Sequence, residues 1–78
     1  MDNEYYKTKD LAEAGALIIN KQELVQIKRE GSVCWFVFKD KSKCKELADK
    51  FYFGKMNANI RDYHEILNRL KNRIFSGV

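Results

Sequence analysis

The chain has 78 residues, a net charge of +4 at pH 7, 45% apolar residues, and one tryptophan among nine other aromatics. This composition excludes a disordered polar segment. The length excludes more than one domain, and a domain of this size buries only about 60% of its unfolded surface. The longest apolar run, Ala14 to Ile19, is too short to span a bilayer, and no signal peptide opens the chain, so a cytoplasmic protein with no membrane contact is expected. The positive charge permits a polyanionic partner without requiring one.

In chain order, Met1 to Glu4 is expected to be a frayed start. Tyr5-Tyr6-Lys7 has strand-like residues that can add a short strand beside a hairpin. Thr8 suits a helix N-cap, with Asp10 complementing the positive helix end, and the first helix is predicted from Lys9 to Ile19. Leu11, Ala14, Gly15 and Ile18 fall at i, i+3, i+4 and i+7 and form its buried stripe. Gly15 sacrifices about 1 kcal/mol of helix propensity, which close packing against a covering element offsets. Asn20 is the expected stop.

Leu24 to Asp40, LVQIKREGSVCWFVFKD, reads as a β-hairpin turning at Gly31-Ser32, a pair that suits a two-residue type II′ turn. That turn sets Glu30 opposite Val33, Arg29 opposite Cys34, Lys28 opposite Trp35, Ile27 opposite Phe36, Gln26 opposite Val37 and Val25 opposite Phe38. Alternation then sorts the side chains. Val25, Ile27, Cys34, Phe36 and Phe38 form a core face. Gln26, Lys28, Glu30, Val33, Trp35 and Val37 form the reverse. Cys34 and Cys44, with no CxxC spacing and no export signal, are expected as buried thiols of one core, a redox pair being the alternative.

Asp40 or Ser42 can cap a second helix, Lys43 to Phe53, whose stripe is Cys44, Leu47, Ala48 and Phe51. Gly54 ends it, and Lys55 to Ala58 is a loop or a brief strand. Asn59 caps a third helix, Ile60 to Phe75, with Asp62 three residues on as an imperfect capping box. Ile60, Tyr63, Leu67, Leu70 and Ile74 are spaced 3, 4, 3, 4. This stripe packs on a sheet or helix, or else forms a homodimer seam. Ser76-Gly77 closes the helix. The expected fold class is α+β in the order β-α-β-β-α-α: a small antiparallel sheet built on the hairpin and packed against two or three helices.

No enzyme signature is present. The glycines are isolated, and His64 lacks the companions of a metal site. No serine or cysteine has a partner base in a recognisable pattern. No cofactor is implied. Two surface features remain. One is the reverse hairpin face, where Trp35 stands opposite Lys28, either open or covered by helix three, by Tyr5-Tyr6 or by a second subunit. The other is basic charge: Lys39, Lys41, Lys43 and Lys45, then Arg61, Arg69, Lys71 and Arg73, with Arg69 and Arg73 one helical turn apart. A sheet bearing aromatics and cations is one way single strands are held. The leading expectation is therefore a non-enzymatic accessory protein that binds DNA or RNA through Lys28, Trp35, Arg69 and Arg73. The alternative is a module that docks on a host protein through Trp35.

Two resemblances bear on this. Tyr6, Thr8, Asp10 and Leu11, then Cys34 to Phe38, then Phe51, Tyr52 and Gly54 together resemble the Y-x-T-x-D-L opening, C-[aromatic]-F-V-F strand and F-[aromatic]-x-G stop of a family of small bacterial and phage-associated proteins classed only as a domain of unknown function. The resemblance covers nearly the whole chain. It implies a prokaryotic, phage or mobile-element setting and no established activity. Thr8 to Glu13 is also similar to the opening helix of winged helix-turn-helix regulators, a reading in which the hairpin is the wing. Its departure is that Leu24 to Ile27 follows where a recognition helix belongs.

Overall fold

The computed structural model describes residues 4–76. Its elements are β1 (Tyr6–Thr8), α1 (Leu11–Ile19), β2 (Leu24–Glu30), β3 (Val33–Phe38), α2 (Lys41–Tyr52) and α3 (Ile60–Phe75). The fold is α+β in the expected order. The three strands form one antiparallel sheet, β1-β3-β2, so the hairpin's second strand is central. The expectations for Met1 to Asn3 and for Gly77 lie outside the described residues.

The hairpin turns where Gly31 takes φ +63°, a conformation that glycine adopts without steric penalty. Pairing follows the expected register from Glu30↔Val33 to Gln26↔Val37, including Lys28↔Trp35. It departs at the open end. A bulge at Val25 sets Leu24, not Val25, opposite Phe38. One inserted residue reverses which side chain faces the core. Leu24 therefore packs against the core, while Val25 is 40% exposed.

Phe36 and Phe38 are fully buried against Ala14, Leu17, Cys44, Leu47 and Leu70. Cys44 belongs to this core. Cys34, nearer the turn, is half-buried and outside it, so the two thiols do not share one core as expected; both are free.

The cap of α1 is Asp10, not Thr8. Its Oδ1 accepts from the amides of Ala12 (2.9 Å) and Glu13 (3.2 Å). Thr8 is instead the last residue of β1, opposite Phe36, so the helix starts two residues later than predicted. Buried positions on α1 are Ala14, Gly15, Ala16 and Leu17, wider than one stripe because α2 and α3 both pack against this helix. At its end the chain turns through Lys21 at φ +70°. There the Lys21 and Gln22 amides donate to the Ile18 and Leu17 carbonyls, closing the helix in a Schellman arrangement. The stop expected at Asn20 is thus shared with its successor.

Asp40 caps α2, its carboxylate accepting from the Lys43 amide at 3.1 Å. Gly54, at φ +70°, ends the helix as predicted, and Lys55 to Ala58 is loop. Asn59 caps α3 through the Asp62 amide. Leu70 is buried and Tyr63, Leu67 and Ile74 are half-buried, but Ile60 is 84% exposed. Ile60 opens α3 one turn before Tyr63 and Leu67 reach Gly15 of α1. The stripe is therefore spent on α1 and the core, with its first position left outside. No helix among the described residues is long and apolar enough to cross a membrane.

Candidate functional site

Strand alternation puts Trp35 on the opposite side of β3 from Phe36, which is 1% exposed in the core. The indole is half-buried. Its surroundings come from the sheet and the turn after β1. Lys28 is its cross-strand partner on β2. Lys7, on β1, pairs with Val37 and so shares the outward face. Lys9 holds its ammonium 6.0 Å from the ring centroid, at the outer limit for a cation–π contact. Lys7, Lys28, Glu30 and Trp35 line a hollow of about 270 Å³. Neither α3 nor Tyr5-Tyr6 contributes to its lining.

Lys28 Nζ lies 3.4 Å from Glu30 Oε2, and both side chains are about half exposed. A pair this open contributes little and exchanges readily with another anion. Among the described residues, Lys7, Lys9 and Lys28 thus stand beside one indole, with the Glu30 carboxylate lining the same hollow.

Arg69 and Arg73 lie elsewhere. With Leu70 they line a separate hollow of about 330 Å³ against Leu24 to Ile27 on β2. The two hollows share no residue. The four predicted site residues therefore form two places, Lys28 with Trp35 and Arg69 with Arg73. Lys39, Lys41, Lys43 and Lys45 are exposed, but α2 begins among them, and the helical turn scatters these alternate lysines over several faces.

Lys7 and Lys9 are the members that the sequence reading missed. Their signal was the alternation Tyr6-Lys7-Thr8-Lys9. Tyr6 and Thr8 turn inward to Glu13: the Tyr6 hydroxyl donates to Oε2 and the Thr8 hydroxyl to Oε1 (3.1 Å). Burial, and then the Glu13 carboxylate, hold the Tyr6 hydroxyl well above its ordinary pKa. With the even positions tied inward, the lysines face out.

His64 is exposed, and no group of three or more His, Cys, Asp or Glu among the described residues is placed to hold a metal ion. The Cys44 thiol donates to the Lys39 carbonyl at 3.2 Å, and burial pushes it up to about 11, so it stays protonated near neutral pH. The family model for the domain of unknown function DUF5659 matches residues 3–76. No curated protein and no solved structure matches the chain.

Proposed function

The chain belongs to the DUF5659 family, whose function is not known, and from the chemistry of its surface we propose that it is a non-enzymatic binding protein for single-stranded nucleic acid. The observation that carries this reading is the single indole on the outward sheet face, flanked by Lys7, Lys9 and Lys28. Every base has a π-face, so stacking on Trp35 is tolerant of sequence, and ammonium groups around the ring are suited to successive phosphates. The prokaryotic, phage or mobile-element setting and a cytoplasmic location belong to the same reading. Arg69 and Arg73 are not part of the platform.

Fluorescence anisotropy of a labelled oligothymidine tests the proposal. With about three phosphates neutralised, log affinity should fall against log salt with a slope of about −2, which is roughly a 15-fold loss between 50 and 200 mM. Charge reversal at Lys7 and Lys28 should abolish binding. No binding at high micromolar protein and low salt ends the reading.

A further inference from the structure

Among the described residues, the sheet has two edges of different character. At one, β1 is only three residues long. At the other, β2 is seven residues long, and among the described residues no strand pairs with its outer side. Alternate residues of an antiparallel strand turn N–H and C=O away from their partner, so this side offers a row of backbone donors and acceptors. It does not end in open solvent. A groove of about 330 Å³ lies between it and α3, lined by Leu24 to Ile27 of β2 and by Arg69, Leu70 and Arg73 of α3, with Leu70 buried, Leu24 and Ile27 half-buried, and Val25, Arg69 and Arg73 exposed. At the far end the Arg29 guanidinium donates to the Ile74 carbonyl at 2.9 Å and ties the helix to the strand.

We propose that this groove takes an extended acidic peptide of a partner protein, added as a fourth strand to β2. Strand addition draws affinity from main-chain hydrogen bonds and specificity from alternate side chains. The groove supplies both, and its charge selects the partner. Arg69 and Arg73 are about 6 Å apart along the helix. Residues i and i+2 of an extended chain are about 6.6 Å apart on one face. Two carboxylates in a Glu-x-Glu or Asp-x-Asp pattern therefore match the two guanidiniums. A second copy of this chain fits poorly, because pairing β2 with β2 brings a second set of Arg69 and Arg73 to the same edge. The bulge at Val25 lies at the Leu24 end of the hollow, so an added strand pairs along Gln26 to Glu30 and its pairing ends at that kink.

The test is fluorescence anisotropy with a labelled, end-capped peptide of alternating valine and glutamate. Controls are its lysine counterpart, a version N-methylated at alternate amides, and unlabelled oligothymidine as competitor. The proposal expects micromolar binding of the glutamate peptide. Arg69→Glu with Arg73→Glu should weaken it about tenfold or more, because a favourable pair becomes a repulsive one. N-methylation, which leaves the protein untouched, should weaken it comparably, and Trp35→Ala should leave it unchanged. Failure to bind, equal binding of the lysine peptide, or undiminished binding of the N-methylated peptide overturns the proposal. So does displacement by oligothymidine, or self-association of the chain that buries the β2 edge. Because Trp35→Ala is silent here, this outcome is independent of the outward sheet face.

Discussion

Lys21 and Asp40 are the non-glycine residues with positive φ among those described. They differ in what holds them there. Lys21 makes the helix-closing turn with its backbone alone, so its Cβ is a cost of about 1 kcal/mol or more that glycine avoids. Lys21→Gly should stabilise the fold by about 0.5–1 kcal/mol after the greater freedom of an unfolded glycine is allowed for. Asp40 spends its carboxylate on the first turn of α2. Asp40→Ala should destabilise by about 1–2 kcal/mol, and urea midpoints measure both. Proton linkage also acts at this scale. Burial raises Cys44 from 9.0 to about 11 and raises Tyr6 above its ordinary 10.0. A group with a raised folded pKa stays neutral in the native state after the unfolded chain has lost its proton. Its contribution is full below the unfolded pKa and is lost as pH climbs through the folded one. Stability should hold to about pH 9, fall between pH 9 and 11, and go on falling above that, with Tyr6→Phe flattening the part above pH 10. An unchanged urea midpoint between pH 8 and 10.5 contradicts this.

Helix α3 is held by contacts that its neighbour α1 permits. A methyl added at Gly15 would lie 2.7 Å from Leu67 Cδ2 and 3.2 Å from Tyr63 Cε1. The tyrosine is fixed by its hydroxyl donating to the Ala12 carbonyl at 2.8 Å. Gly15→Ala gains about 1 kcal/mol of propensity but overpacks this crossing, and the net effect should be a loss of about 1 kcal/mol. Along the stripe of α3, Leu70→Ala should lose about 2–4 kcal/mol. Ile60→Ala, 84% exposed, should stay within about 0.5 kcal/mol of the parent. Denaturant titration of the pair separates core packing from a uniform seam. The contrast also marks what could be read in advance. Periodicity gave α2, α3 and the hairpin register, because period and turn residues are local properties. It could not tell that Ile60 stays exposed beside a hollow that it shares with Ala16 and Ile19 of α1, nor that β2 bulges at Val25, since both depend on what the neighbouring element presents. The cap at Asp10 was ambiguous for a related reason: Thr8 has the right chemistry, but pairing with Phe36 claims it for the sheet. At the candidate site Lys28 and Trp35 were legible from the turn alone. Lys7 and Lys9 needed the knowledge that β1 lies beside β3, and only tertiary structure separates Arg69 and Arg73 from the indole.

For the molecule as a whole, the helices contribute the core on one side of the sheet, and the hollow around Trp35 on the other side is lined by strand residues alone. A domain this small has little apolar area to spare, yet its one tryptophan stands outside the core among lysines. We account for that by a role on the surface rather than in folding. The sequence holds no other tryptophan, so the intrinsic indole emission reports on this position alone. The decisive measurement is its quenching by oligothymidine at low salt. Stacking predicts saturable quenching that weakens as salt rises, with anisotropy-measured affinity falling about 5-fold or more in Trp35→Ala, as loss of one stacked base would give. Emission that stays unchanged through high micromolar oligonucleotide, or binding that Trp35→Ala leaves intact, would contradict the account.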